Sequence, residues 1–319
     1  MTRIRRCDDR QECRALWERC WPRVDLFDRW GVRACFDQAY ERTPCFVMAE
    51  QDGQPVGLLA LSWIEEEGYY GAFPGEIWAG RTWLEGNRIP TRLAGLRTAL
   101  LEAAPGPTRV RYLLPEALPP GIEPEVAVDE VGYLFEPADY DFEYDRYLQG
   151  FSGRSRKKLR RELSGLEALG VEVRLDCLAD VETLLRLNLD AFEQRSYFHD
   201  RRFCAGFELL VSHLAQRDQL RVTTVLLGGR VAAVDVGAVW KNRYTVLAGG
   251  TDPEFPGVAK YINMFHLRWA CEQRLSRVDF LCGDFQWKQR FHLVPRPLYE
   301  VRANRGRVSD SDQLLLHAS

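Results

Sequence analysis

Apolar and polar positions along the chain fall into two runs of the same kind. FVMAEQDGQPVGLLALSW (Phe46 to Trp63) sets Asp52-Gly53 between two stretches of apolar and β-prone residues, and VTTVLLGGRVAAVDVGAVW (Val222 to Trp240) does the same around Gly228-Gly229. Asp-Gly and Gly-Gly supply the positive φ angles of tight hairpin turns, so the pattern predicts two β-hairpins. After each comes a helix-like stretch and then a short buried strand, TRVRYLL at Thr108–Leu114 and SRVDFLC at Ser276–Cys282. The offset between partners is 176 residues for the turns (Asp52 to Gly228) and 168 for the strands (Thr108 to Ser276). A near-constant offset over two different elements in the same order predicts tandem copies of one α/β unit.

The second copy reads as a strand at Val171–Leu175, a helix at Asp180–Phe192 with Asp180 as its cap, and a helix at Arg202–Ala215. The hairpin Leu220–Trp240 follows, then strand Tyr244–Gly249, helix Val258–Gln273, strand Val278–Leu281 and a terminal strand Leu298–Asn304. Strands before and after the long helix predict a mixed sheet with helices on both faces. The expected division is residues 1–145 and 146–319, with 152–169 as a connecting helix.

That connector, SGRSRKKLRREL, places Leu159, Leu163 and Leu166 at i, i+4, i+7 on one face. Arg154, Lys158 and Arg161 fall on another face, with Arg156, Lys157 and Arg160 flanking them. Ser152 or Ser155 can cap its start and Gly170 its end. The cations meet no acid before Glu162, so either this is a solvated face or it contacts phosphate through residues such as Arg156 and Arg160. The phosphate would be a nucleotide pyrophosphate, an RNA backbone or a lipid head group.

Composition narrows the partners. A net charge of −3 and a pI near 6.1 argue against a duplex-DNA reader. Nine cysteines, an odd number without a CxxC pair, point to reduced thiols rather than disulfides or zinc. The five histidines show no metal spacing, so no metal is expected. The N-terminal stretch lacks an apolar h-region, and the most apolar segment, Thr223 to Trp240, is interrupted by Arg230, Asp235 and the Gly228-Gly229 pair. A cytoplasmic protein without a membrane span is expected.

The run SGRSRKKLRREL, then GVEVRL, the hairpin, GGTDPEF, the long helix and VDFLCGDFQWKQRF together resemble the C-terminal unit of the FemAB/FemX-like branch of the GNAT superfamily, which includes BioF2-like and cellulose-biosynthesis-associated acetyltransferase domains. The likeness covers residues 140–300, with a second, degenerate GNAT unit implied before it. The segment D-F-x-x-G-D-x-x-[YW]-K is met by Asp279, Phe280, Gly283, Asp284, Trp287 and Lys288. The resemblance implies an α/β fold of two tandem units with splayed sheets. It also implies acyl transfer to an amine of a small molecule, sugar precursor or peptide, from acetyl-CoA or another acyl-CoA; the alternative donor is aminoacyl-tRNA, which would make tRNA a partner. A non-catalytic binding protein is the remaining class. Donor phosphates would sit at Gly257, Val258, Ala259 and Lys260, although Glu254 stands where the usual loop has Gln or Arg.

Three residues are candidates for the chemistry. Asp284, just past a buried strand, is placed as base, as an acceptor-orienting group or as a helix cap. Lys288, at i+4 from it, is placed as an oxyanion or phosphate donor, or as its ion-pair partner. Asp235, inside an apolar strand, faces either the cleft or water. Glu193, Tyr197 and Tyr244 are placed by position at the acceptor.

Overall fold

The computed structural model describes residues 2–93, 95–119, 126–283 and 286–304. In chain order the elements are β1 (Thr2–Cys7), α1 (Arg10–Cys20), α2 (Trp30–Tyr40), β2 (Pro44–Gln51), β3 (Gln54–Ile64), β4 (Tyr69–Ala72), β5 (Ile77–Trp78), β6 (Arg81–Thr82), α3 (Leu96–Glu102) and β7 (Thr108–Leu113). They continue as β8 (Val126–Phe135), α4 (Tyr144–Gln149), α5 (Gly153–Glu167), β9 (Val171–Leu175), α6 (Asp180–Phe192), α7 (Arg201–Ala215), β10 (Leu220–Leu227) and β11 (Arg230–Trp240). The last are β12 (Arg243–Thr251), α8 (Val258–Glu272), β13 (Arg277–Cys282), α9 (Trp287–Arg290) and β14 (Val294–Ala303).

Two compact units result. Of the described residues, unit 1 holds those within 2–131, 202–213 and 297–304, and unit 2 those within 132–201 and 214–296. This departs from the single cut expected at 145. Phe203 and Phe207 of α7 pack against Trp83 of unit 1, and Phe203 also meets Phe36. Val301 and Ala303 of β14 join Val110 and Leu113 in the unit 1 core. Apolar partners distant in sequence therefore decide membership.

In unit 1 the strand order is β1-β2-β3-β4-β7-β14, antiparallel except for the β4–β7 pair. The hairpin turn carries its predicted left-handed pair, Asp52 at φ 53° and Gly53 at φ 73°. Strand β4 stays with β7 for one residue pair, Tyr70 opposite Thr108. The space beyond is taken by the chain itself. The Asn87 amide donates to Tyr112 O (2.9 Å), Leu114 N donates to Asn87 O (3.0 Å), and Leu58 N donates to Pro90 O (2.9 Å). Leu84 and Ile89 from this segment are buried.

Unit 2 repeats the plan with the order β8-β13-β12-β11-β10-β9. Its pairs β9–β10, β10–β11 and β11–β12 are antiparallel, β12–β13 is parallel, and β13–β8 is antiparallel. Successive residues of a strand face opposite sides. A Cβ on Gly250 would meet Leu184 and Leu187 of α6, whereas one on Gly249 would meet Asp235 on the α8 side. Helix α5 forms as its pattern predicts. Ser152 Oγ accepts from Ser155 N, and Leu159, Leu163 and Leu166 are buried. Leu166 packs with Val258 and Ile262 of α8, so the expected connector lies inside unit 2 and belongs to its core. Asp180 is the first residue of α6 rather than its cap; its carboxylate accepts from Thr224 (2.6 Å) and Arg174 (2.7 Å) instead. Among the described residues no helix is long and apolar enough to cross a membrane.

Candidate active site

The parallel pairing of β12 with β13 runs through Arg243–Arg277, Tyr244–Val278 and Thr245–Asp279, and among the described residues it stops there. Beyond it the strands splay. Val246, Ala248, Gly249 and Thr251 on that edge are half-buried, although they lie inside a strand. Between Val236 and Gly237 the register against β12 jumps from Ala248 to Val246, so Leu247 is an extra, bulged residue. A bulge re-aims backbone groups at the point where a sheet opens. An open edge with a re-aimed amide can polarise a carbonyl laid along it.

Helix α8 starts beside this opening. Gly257 caps it at φ 92°, in the left-handed region that suits glycine, and no side chain supplies a cap bond. Gly257 and Ala259 are exposed, and a Cβ on Gly257 would find only Leu166 within 4 Å, at 3.7 Å. Uncapped N–H groups and the helix dipole favour an anion at such an end. Glu254 does not oppose this, because Arg230 from the hairpin turn binds its carboxylate at 2.6 Å. Lys260 is drawn the other way, into an ion pair with Glu162 of α5 that holds the Glu162 carboxyl below its ordinary range.

Of the remaining predicted residues, some converge here and others do not. Asp284 lies outside the described residues. Lys288 is 3 % exposed, and its ammonium donates to the carbonyls of Phe280, Leu281 and Cys282, each at 2.9 Å. Its three hydrogens are matched by backbone at the end of β13, so it shapes the cleft wall rather than meeting a substrate. Asp235 is 5 % exposed and faces α8, where His266 Nε2 lies 2.9 Å from its Oδ2. Tyr244 is wholly buried between the sheet and Trp269, so it does not reach an acceptor from solvent. Burial, then the Asp235 charge, pushes its phenol well above its ordinary value. Arg160 bonds Asp145 at 3.4 Å and lines a groove of about 700 Å³ with Arg268 and Glu272, towards the other end of α8 from Gly257. Arg156 is half-buried on the same helix.

Glu193 and Tyr197 lie in the short turns that follow α6, Glu193 exposed and at φ 48°. Those turns are tied to the open strand. Ser196 Oγ donates to Asn188 Oδ1 (2.8 Å), and Asn188 Nδ2 donates to Gly249 O (2.9 Å). Sequence reasoning missed Asn188, Ser196 and His266. The Gly249-Gly250 pair inside a strand was the available signal for a close approach.

A family model described as an acetyltransferase (GNAT) domain matches residues 153–289. This segment, less than half of the chain, resembles a GNAT domain. FemX aligns with a TM-score of 0.57 at 11% identity over 98% of this chain and 99% of its own. L-PGS from Bacillus licheniformis aligns with 0.55 at 10% identity over 98% and 96%. A tandem GNAT protein from the clavulanic acid biosynthesis pathway aligns with 0.50 at 11% identity over 97% and 100%. Identities this low speak for the fold, which is the expected two-unit GNAT fold. No curated protein matches the sequence. Among the described residues no cluster of side chains could hold a metal ion.

Proposed function

We propose that the protein transfers an acyl group from acyl-CoA to an amine on a small molecule, a sugar precursor or a peptide. One observation carries this reading: the bulged, half-open edge of β12 leads to the uncapped N-terminus of α8. The donor pyrophosphate would rest at Gly257, Val258 and Ala259, on the amides of Gly257 and Ala259 because Val258 N already donates to Phe255 O (3.2 Å), and the thioester carbonyl on the strand edge near Leu247. The acceptor would enter past Glu193 and Tyr197. Asp284, which follows β13 in sequence, would orient its ammonium. Lys260 would contribute only by leaving Glu162 to meet the anion.

Calorimetric titration of the full chain with acetyl-CoA, and separately with coenzyme A, tests the reading. One site per chain is expected, because the corresponding opening in unit 1 is filled by residues 84–92 and its helix α3 has seven residues. No heat with either ligand would overturn it. A smaller expectation concerns Glu254: Arg230→Ala should weaken acetyl-CoA about threefold by exposing the carboxylate to the phosphates.

A second reading, aminoacyl transfer from tRNA, is favoured by α5. Arg154, Lys157 and Arg161 are exposed, whereas Lys158 pairs with Glu162 and Arg160 with Asp145. If tRNA is the donor, log affinity should fall with log salt by about 0.7 to 0.9 per phosphate contacted, and replacing these three by Ala should flatten that slope. An affinity insensitive to salt would remove this reading.

A further inference from the structure

Beneath α8, unit 2 contains a polar seam in an otherwise apolar layer. Thr223 of β10, Asp235 of β11, Tyr244 of β12 and His266 of α8 are 0 %, 5 %, 0 % and 0 % exposed. Thr223 and Asp235 are cross-strand partners, so they share a face. The Tyr244 ring lies 5.1 Å from that of His266, and its hydroxyl fits only because Gly237 has no side chain there. Asp235 Oδ2 meets His266 Nε2 at 2.9 Å, while Oδ1 sits over Gly249, where a Cβ would come within 2.4 Å.

His266 Nδ1 is buried without a hydrogen-bond partner among the described residues, and the hydroxyls of Thr223 and Tyr244, close enough to interact with each other, find no other partner there. Folded proteins rarely tolerate such groups unless they have a task or a water partner. A carboxylate can only accept, so Asp235 fixes the imidazole proton on Nε2 and leaves Nδ1 as a lone pair.

Position supplies the task. His266 follows Val258 by eight residues, about 12 Å along the helix from the proposed phosphate end. Asp235 pairs across the sheet with Gly249, two residues past the bulge at Leu247. The pair therefore stands at the depth where the acyl carbonyl would lie.

We propose that His266 Nδ1 takes up the proton released by the amine during acyl transfer, through water and the hydroxyls of Tyr244 and Thr223, with Asp235 as positioning residue. This rests on the acyl-CoA reading above. The ammonium gives one proton to His266, which passes it to solvent. The neutral amine attacks the thioester carbon, so the C–N bond forms and the C–S bond breaks. The second nitrogen proton goes to the departing thiolate, giving amide, coenzyme A thiol and one released proton. Among the described residues the charged and titratable groups around the seam are Asp235 on β11 and Tyr244 on β12, with Arg221 of β10, over Trp269 at 4.0 Å, and Asp176 just after β9 acting on the Tyr244 phenol.

The test is His266→Gln in the full chain. Turnover should fall about 10²- to 10³-fold and the acid limb of the kcat/KM profile should disappear, while acetyl-CoA affinity by calorimetry stays within about twofold. Asp235→Asn should move that limb without abolishing it. A retained acid limb with turnover within about threefold of the parent would overturn the proposal. Should the variant not fold, ring ¹⁵N shifts of His266 in the unaltered protein decide the matter. Expected is the Nε2–H tautomer at neutral pH, with Nδ1 carrying the lone pair. A proton already on Nδ1 at neutral pH would overturn it. The shifts need no donor, so failed acetyl-CoA binding would sink the acyl-CoA reading separately.

Discussion

Lys288→Met is expected to lower the unfolding free energy by about 3 kcal/mol, which makes it the largest stability effect anticipated for a single side chain in the cleft wall. Methionine keeps the length of the stem but removes the ammonium that Phe280, Leu281 and Cys282 share. Each buried carbonyl left without a donor costs about 1 to 3 kcal/mol, and the sum is offset by no longer burying a charge. The backbone here has no easy retreat: Leu281 sits at φ 56° and Gly283 at φ 103°, and Leu281 N is held by Asp279 Oδ1 at 2.9 Å. Asp279 is in turn bound by Arg296 at 3.0 Å. Urea unfolding should show a lower midpoint with an unchanged slope. An unchanged midpoint would mean that the strand end rehydrates freely and that the ammonium is not what holds it. Loss of activity in this variant under conditions where it stays folded would then report a displaced cleft wall, not a missing catalytic group.

The largest effect on ligand binding is expected from Gly257→Val. The new side chain meets little within the protein, its nearest neighbour being Leu166 Cδ1 at 3.7 Å, so helix α8 should still form. The cost to folding is that of an L-residue at φ 92°, about 1 to 2 kcal/mol. The cost to the donor is steric: a branched side chain stands where phosphate oxygens must approach the amides. Acetyl-CoA affinity should drop about thirtyfold, equivalent to about 2 kcal/mol. Calorimetry on the variant decides this. Binding within about twofold of the parent would move the phosphate site away from this helix end and take the proposed donor geometry with it.

Much of the fold is legible in the sequence because short-range chemistry dictates it. Asp52-Gly53 and Gly228-Gly229 announce their hairpins through the dihedral angles they permit, and both pairs have positive φ. The leucines of α5 and the Gly257 start of α8 follow from periodicity and capping. What the sequence hides is contact at long range. Nothing local to Phe203 and Phe207 says that α7 fills the core of unit 1, where Gly206 lets the Phe36 ring approach. The charge of Asp235 in an apolar strand is visibly costly, yet its partner stands 31 residues later on a helix. Lys288 lies one helical turn after Asp284 in sequence, but α9 spans only four residues and the ammonium turns back to β13. Glu254 looks like an obstacle to phosphate until Arg230, across the hairpin, is seen to hold it.

The segment from Leu84 to Arg92 in unit 1 has a kinetic meaning. It is, in effect, a ligand supplied in cis, anchored through Asn87 and Pro90 to strands of its own unit. A tethered occupant is present at an effective concentration that free metabolite does not match. Under the proposed function, raising the donor concentration should therefore titrate one opening per chain and leave the other shut. Donor saturation of a single chain should be hyperbolic, with a Hill coefficient of about 1.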